Sequence, residues 1–270
     1  MSRLAAEQLT IAYDERPIVR DLSFAIPDGK ITALIGANGS GKSTILKTMA
    51  RLMKAREGHV YLDGKAMDRM PTKQVARELA ILPQHPSAPD GLTVSELVFF
   101  GRFPHQRGFG AASREDKRMV AWALEVTGLS ELADRPLDQL SGGQRQRAWI
   151  AMALAQGTDI LFLDEPTTYL DMAHQLEVLQ LLRRLNREEG KTIVMVVHDL
   201  NHASQFADHV IAIKNGAIVR QGSPSDVITC ETIHEVFGIE ADIIRCPRTG
   251  VPLCLPFALA ADCSAACVAR

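Results

Sequence analysis

The run Gly36-Ala37-Asn38-Gly39-Ser40-Gly41-Lys42-Ser43-Thr44 constrains this chain more than any other stretch. It follows the apolar segment Ile31 to Ile35 and leads into helical spacing at Ile45, Leu46 and Met49. A strand feeding a Gly-rich turn that opens a helix is the context in which G-x-x-x-x-G-K-[ST] cradles phosphate. Glycines let successive backbone N–H groups curl toward one anion, and the helix start adds its positive dipole end. Lys42 then reaches the β- and γ-phosphates as a point charge, and the Ser43 hydroxyl serves Mg²⁺. A plain turn closed by a chance lysine is the competing reading, and the flanking strand and helix weigh against it.

At 270 residues the chain can bury a full core, as one large domain or two lobes. A net charge of −2 gives no electrostatic reason to expect nucleic acid or an anionic membrane surface as partner. No apolar run approaches the ~18 residues of a membrane helix. The stretch from Cys254 to Ala269 comes nearest, interrupted by Pro256 and Asp262. No basic segment followed by an apolar core opens the sequence, so an intracellular chain is expected. Five cysteines without a C-x-x-C read as reduced thiols; Cys263 and Cys267 can share a helix face but have no further metal ligands.

Leu9 to Tyr13 and Leu22 to Ile26 alternate like strands around a polar turn at Asp14 to Pro17. Asp63-Gly64, closing a strand from Gly58, and Asn215-Gly216 predict hairpin turns. Pro71-Thr72 opens a helix through Arg77, and Leu79 to Gln84 reads as a short strand ending at a glutamine. From Thr93 the signals are helical. Ser113 to Asp116 resembles a capping box with Asp in its last place, and Leu140-Ser141-Gly142-Gly143-Gln144 is a second Gly-rich turn feeding a helix through Gln156.

Ile160 to Asp164 reads as a strand buried on both faces. A helix from about Asp171 carries Leu176, Leu179, Leu182 and Leu185 on one flank and stops at Glu189-Gly190. Thr192 to Val197 is another buried strand, ending at His198. Beyond Ser223 come short helical stretches and a tail with no legible mechanism, turning at Pro247-Arg248-Thr249-Gly250. The expected organisation is an α/β core from 1–84 and 158–222, a helical insertion at 85–157, and a C-terminal extension at 223–270.

In a chain with a phosphate loop, Asp164 at a strand's end supplies the second protein contact to Mg²⁺. Glu165 projects differently from its neighbour and is the candidate general base or water-orienting group. His198 at another strand's end can donate to a γ-phosphate oxygen. An alternative pairs His198 with His202 as metal ligands, but no third ligand suggests itself. Tyr13, a lone aromatic in a strand, has packing as its default role.

Tyr13, the 36–44 loop, Gln84, Leu140 to Gln144, Asp164-Glu165, Leu170-Asp171 and His198 occur in the order of an ABC transporter ATPase subunit. The chain resembles that family to about residue 240, and Leu-Ser-Gly-Gly-Gln is the specific element. The resemblance implies a P-loop NTPase core with a mostly parallel sheet, an antiparallel β-subdomain and an inserted helical subdomain. It implies that Tyr13 stacks on adenine, and that Gln84 contacts Mg²⁺ or water while sensing a membrane subunit. Ser141, Gly142, Gly143 and Gln144 would approach the γ-phosphate on a second copy, with Asp171 coupling two ATP molecules in a head-to-tail sandwich.

A narrower resemblance lies in Thr167 to Gln175, in Gly101-Arg102 with Pro104-His105, and in Ser141 to Gln156. That wording is similar to the ATPases of iron(III)-siderophore importers, with cobalamin and haem importers as close relatives. It implies permease subunits as partners, indirectly a substrate-binding protein, and a peripheral position on the cytoplasmic face of the inner membrane. A soluble ABC ATPase acting on ribosomes or DNA is the rival. It fits poorly with one nucleotide domain, no coiled-coil insertion and mild acidity.

Overall fold

The computed structural model describes residues 2–13, 16–106 and 112–260, without the side chains of Tyr13 and Arg16. Its contacts group into two compact units: one runs to Asp68 and resumes at Val194, and the other spans Arg69–Ile193.

The first unit opens with β1 (Leu4–Tyr13) and β2 (Arg16–Ile26), paired antiparallel with Leu4 opposite Ile26. Both strands are longer than their alternation predicts. Leu4 and Ala6 are buried at even positions but Leu9 and Ile11 at odd ones, because a bulge at Gln8 (φ 50°) switches the inward face. Of the predicted turn, Arg16 and Pro17 already belong to β2, and Asp14 and Glu15 lie outside the described residues. β3 (Ile31–Ile35), wholly buried, runs toward α1 (Lys42–Met49). β4 (Glu57–Leu62) and β5 (Lys65–Ala66) complete a sheet ordered β2-β1-β4-β5. Asp63 and Gly64 turn between them with φ of 50° and 74°, the left-handed pair that a type I′ turn requires.

The second unit carries α2 (Thr72–Glu78), β6 (Leu79–Leu82), α3 (Val94–Phe100), α4 (Arg114–Val126), α5 (Gly142–Ala155), β7 (Ile160–Asp164) and α6 (Met172–Glu189). β6 and β7 pair in parallel, Leu79 opposite Ile160. α3 and α4 pack on α5. The Ser113 hydroxyl accepts from the Asp116 N–H at 3.0 Å while the Asp116 carboxylate accepts from the Ser113 N–H at 3.1 Å, so Asp closes the predicted capping box. On α6 the inward set is Val178, Leu179, Leu181, Leu182 and Leu185. Leu176 departs from the expected flank and is 38% exposed. An 18-residue helix is about 27 Å long, whereas the five residues of β7 reach only about 17 Å. α6 is therefore longer than the strand it follows.

β8 (Thr192–Val196) straddles the division, and the chain then rejoins the first unit. α7 (Leu200–Phe206) leads to β9 (His209–Lys214), parallel to β3 with Ala33 opposite Val210. β10 (Ala217–Gly222) folds back through Asn215-Gly216, again left-handed at φ 50° and 76°. α8 (Pro224–Val227) and α9 (Cys230–Phe237) precede β11 (Ile239–Arg245) and β12 (Pro252–Leu259), an antiparallel hairpin. Its turn is the predicted Pro247 to Gly250. β12 was hidden by its prolines, which sit where a ladder tolerates them: Pro252 is the first residue of β12, and Pro256 pairs with Ala241 beside a register shift. Cys230, Cys246 and Cys254 are free thiols, and Cys263 and Cys267 lie outside the described residues. Among the described residues, no helix is long and apolar enough to cross a membrane.

Candidate functional site

In the first unit the site is built on the crossing from β3 to α1. Gly36 is buried where an added Cβ would stand 2.2 Å from the Ile213 carbonyl oxygen and 2.7 Å from Ser40 Oγ, so no side chain fits. Gly39 and Gly41 turn the loop with φ of 77° and 100°. Gly41 caps α1 without a side chain, and the first helical turn holds no acidic residue. Backbone N–H groups and the positive dipole end are thus left to an anion. Ala37, Asn38 and Gly39 are exposed, Ser43 is half-buried and Thr44 is buried. Ser40 Oγ is buried with no hydrogen-bond partner among the described residues. Lys42, 5% exposed, donates to the Gly36 and Ala37 carbonyls at 2.9 Å each, which holds its charge over the turn.

His198 belongs to the same unit. The Val197 N–H donates to the Leu34 carbonyl at 3.2 Å, fixing the chain beside the last turn of β3 before His198 emerges exposed. Asp199 then caps α7, accepting from the N–H groups of Asn201 at 2.7 Å and His202 at 3.0 Å. His202 turns its ring edge-on to Phe206, and no group of three or more His, Cys, Asp or Glu suited to a metal ion lies among the described residues. Tyr13 ends β1 opposite Arg16, and its side chain lies outside the description.

The second unit holds Gln84, Ser141 to Gln144, Asp164, Glu165 and Asp171. Asp164 closes β7 at 1% exposure. Glu165 follows with φ 56°, a left-handed conformation that costs a non-glycine residue about 1–3 kcal/mol and aims it away from its neighbour. The Thr168 hydroxyl donates to Glu165 Oε2 at 3.0 Å, which orients the carboxylate. Gln84 is half-buried two residues beyond β6, and the ring of the next residue, His85, lies 6.2 Å from that of Tyr169. The strand end carrying Gln84 thus meets the turn that follows Glu165.

Ser141 and Gln144 form a reciprocal cap on α5, at 3.2 and 3.1 Å, which leaves Ser141 and Gly142 exposed at a helix N-terminus. A Cβ on Gly143 would stand 2.3 Å from His174 Cδ2. His174 is the neighbour of this turn that sequence reasoning passed over. Its backbone N–H donates to Asp171 Oδ1 at 3.0 Å and its Nδ1 to the same oxygen at 2.8 Å. These bonds, the backbone one foremost, hold the Asp171 carboxyl below the usual carboxylate range. Gln146 Nε2 donates to the Pro166 carbonyl at 2.9 Å and ties α5 to the Glu165 turn. The signal for His174 was its place three residues after a helix-capping Asp, where an N-cap side chain meets its third helical residue. The unit therefore gathers the 141–144 turn, Asp171 and Glu165, while the first unit gathers the 36–44 loop and His198.

Residues 19–168 match the ABC transporter family. The iron(3+)-hydroxamate import ATP-binding protein FhuC of Bacillus subtilis (strain 168) is 60% identical over 259 residues, covering 96% of both chains. The ferric enterobactin transport ATP-binding protein FepC of Escherichia coli (strain K12) is 48% identical over 265 residues, covering 98% of both. The dimeric structure of MJ0796, a bacterial ABC transporter cassette, superposes with a TM-score of 0.73 at 31% identity, covering 82% of this chain and 98% of that one.

Proposed function

The chain belongs to the ABC transporter family, and on that premise we propose that it hydrolyses ATP to energise a membrane importer of iron(III)-siderophore complexes. The observation that carries the chemistry is the 36–44 cradle. It has a glycine where no Cβ fits, an orphaned buried hydroxyl at Ser40, and a lysine folded over its carbonyls. A phosphate accepts from the Ser40 hydroxyl and meets the lysine charge, while Gly36 lets the turn pack tightly against Ile213.

In this reading the loop N–H groups and Lys42 hold the β- and γ-phosphates, Tyr13 stacks on adenine, and His198 donates to a γ-phosphate oxygen. Ser43, Asp164 and Gln84 present the hard oxygen donors that suit Mg²⁺, which when bound neutralises charge on the phosphate oxygens. Glu165, oriented by Thr168, takes the proton of the attacking water. Ser141, Gly142, Gly143 and Gln144 serve the phosphate of a second copy in a head-to-tail dimer, with Asp171 at the junction. The three-part division into core, helical insertion and C-terminal extension carries over as the functional division.

A groove of about 560 Å³ between α3 and α4, lined by Leu92, Phe99, Phe100, Val120 and Leu124, offers an apolar seat for a permease segment. In this reading the chain sits peripherally on the cytoplasmic face of the inner membrane, with a substrate-binding protein delivering cargo from the other side. The names of two relatives covering nearly the whole chain support a ferric cargo over cobalamin or haem, and over a soluble, non-transport role. Cells lacking the chain should lose uptake of at least one iron(III)-siderophore complex, restored by wild type and not by Lys42→Ala. Intact uptake of every siderophore the cell uses, with lost cobalamin or haem uptake, would reassign the cargo.

A further inference from the structure

We propose that the β11–β12 hairpin is a latch that sets the position of His198, and that Asn201 is the positioning residue through which it acts. This rests on the reading of His198 as a γ-phosphate contact. β12 lies outside the stretch that matches the family, and the sequence offered no role for it.

The latch is made of three contacts with the first turns of α7. Leu200, two residues after His198, packs into a small apolar cluster with Ile228, Ile233, Ala241 and Cys254. The Asn201 side chain bonds both backbone groups of Cys254: Oδ1 accepts from its N–H at 2.8 Å, and Nδ2 donates to its carbonyl at 3.2 Å. A carboxamide used in this way imitates the peptide of a neighbouring strand, and it fixes direction as well as distance. Farther along, the Ser204 hydroxyl donates to the Pro252 carbonyl at 2.5 Å. Apolar contact alone would let α7 slide over the hairpin; these bonds forbid it.

The path from Asn201 back to His198 is short and stiff. Asp199 spends its Oδ1 inside the turn, on the N–H groups of Asn201 and His202. Three residues span at most ~10 Å, so a displaced α7 start carries His198 with it. The far end of α7 is held separately, since the Asp208 carboxylate accepts from the Ile31 N–H at 3.0 Å and the Asp208 N–H donates to the Ile31 carbonyl at 2.8 Å. Loss of the Asn201 bonds should therefore shift the His198 end, while β3 stays held by its parallel pairing with β9 from Thr32 to Ile35. Burial pushes the Cys254 thiol up, so it stays neutral and packs, and its backbone does the positioning.

The test uses the purified full-length chain, measuring ATP turnover, ADP affinity by calorimetry, and melting temperature. ADP lacks the phosphate His198 would face, so its binding reports the cradle alone. Asn201→Ala should lower kcat by about 5- to 50-fold, within the up to ~100-fold that a displacement near 1 Å can cost. Its ADP affinity should stay within about twofold of wild type. Ser204→Ala should shift kcat in the same direction and guards against an Asn201→Ala chain that fails to fold. Leu62→Val, buried in β4 and remote from the latch, serves as the stability control and should keep kcat despite a lowered melting temperature. If His198→Ala loses turnover while Asn201→Ala and Ser204→Ala retain it, the latch is wrong and the reading of His198 stands. If His198→Ala itself turns over normally, that reading fails and the latch falls with it.

Discussion

At Gly36 the backbone passes so near the Ile213 carbonyl that a methyl group would stand 2.2 Å away, whereas at Gly39 nothing lies within 4 Å of an added Cβ. Gly36→Ala must force β9 or the loop aside, and Gly39→Ala meets only the strain of φ 77°. Calorimetry with ATP should find at least a tenfold loss of affinity in the first and a much smaller one in the second. Equal affinities would show that the loop yields freely. Glu165→Gln keeps the side-chain shape but cannot take a proton, so ATP should still bind while turnover falls by roughly two to four orders of magnitude. Near-normal turnover would remove Glu165 from its role. These residues were legible because motif spacing and strand ends mark them. His174 was not, since its contact with Gly143 joins two helices whose approach no local pattern encodes.

Along a single element, α5 is fastened at both ends. Its N-terminus carries the Ser141–Gln144 cap, and Arg102, 3% exposed, donates to the Ala155 carbonyl at 2.7 Å and to Asp116 Oδ1 at 2.9 Å. His105 Nε2 donates to the Gln156 carbonyl at 2.8 Å, and burial keeps that imidazole below its ordinary value and hence neutral near pH 7. A Cβ on Gly101 would stand 2.1 Å from the Met152 carbonyl oxygen, so α3 is pressed against α5. The Gly-Arg and Pro-His pairs, read from sequence only as family wording, are thus the clamp between these helices. Removing one partner of a buried ion pair costs about 3–5 kcal/mol, while replacing both with apolar groups is often near neutral. Arg102→Met should therefore melt well below wild type and Arg102→Met/Asp116→Leu closer to it. Burial pushes the Asp116 carboxyl up, but bonds from Ser113 and Arg102 outweigh it and leave the group below its ordinary value. A depressed carboxyl stabilises fully above its unfolded value, about 3.9, and that stabilisation is lost as pH falls through the folded value. Wild type should lose melting temperature more steeply than Asp116→Asn between about pH 4 and pH 2. Parallel acid limbs would show that this carboxylate contributes nothing there.

For the whole molecule, the exposed side chains around the second-unit site call for a partner. Tyr169 is 86% exposed and Met172 81%, flanking Asp171 at the start of α6, while Ser141 and Gly142 stand exposed at the start of α5. Apolar groups beside an open helix N-terminus suit a surface that closes on another chain carrying an anion. A second copy in the proposed head-to-tail arrangement would supply both. The same reasoning explains the Leu176 departure: helical spacing marks an apolar stripe, but only the element it meets decides which part of the stripe is buried. If ATP is shared between copies, its binding favours the closed dimer by mass action, and slowed hydrolysis should trap it. Glu165→Gln with ATP and Mg²⁺ should elute and scatter light as a dimer, with monomer returning when ADP replaces ATP. Adding Ser141→Arg places a long side chain where the partner's phosphate must approach, so the double variant should stay monomeric while binding ATP as Glu165→Gln does. A dimer that survives Ser141→Arg would put the shared surface elsewhere, and a Glu165→Gln chain monomeric with ATP would leave closure to the membrane subunits.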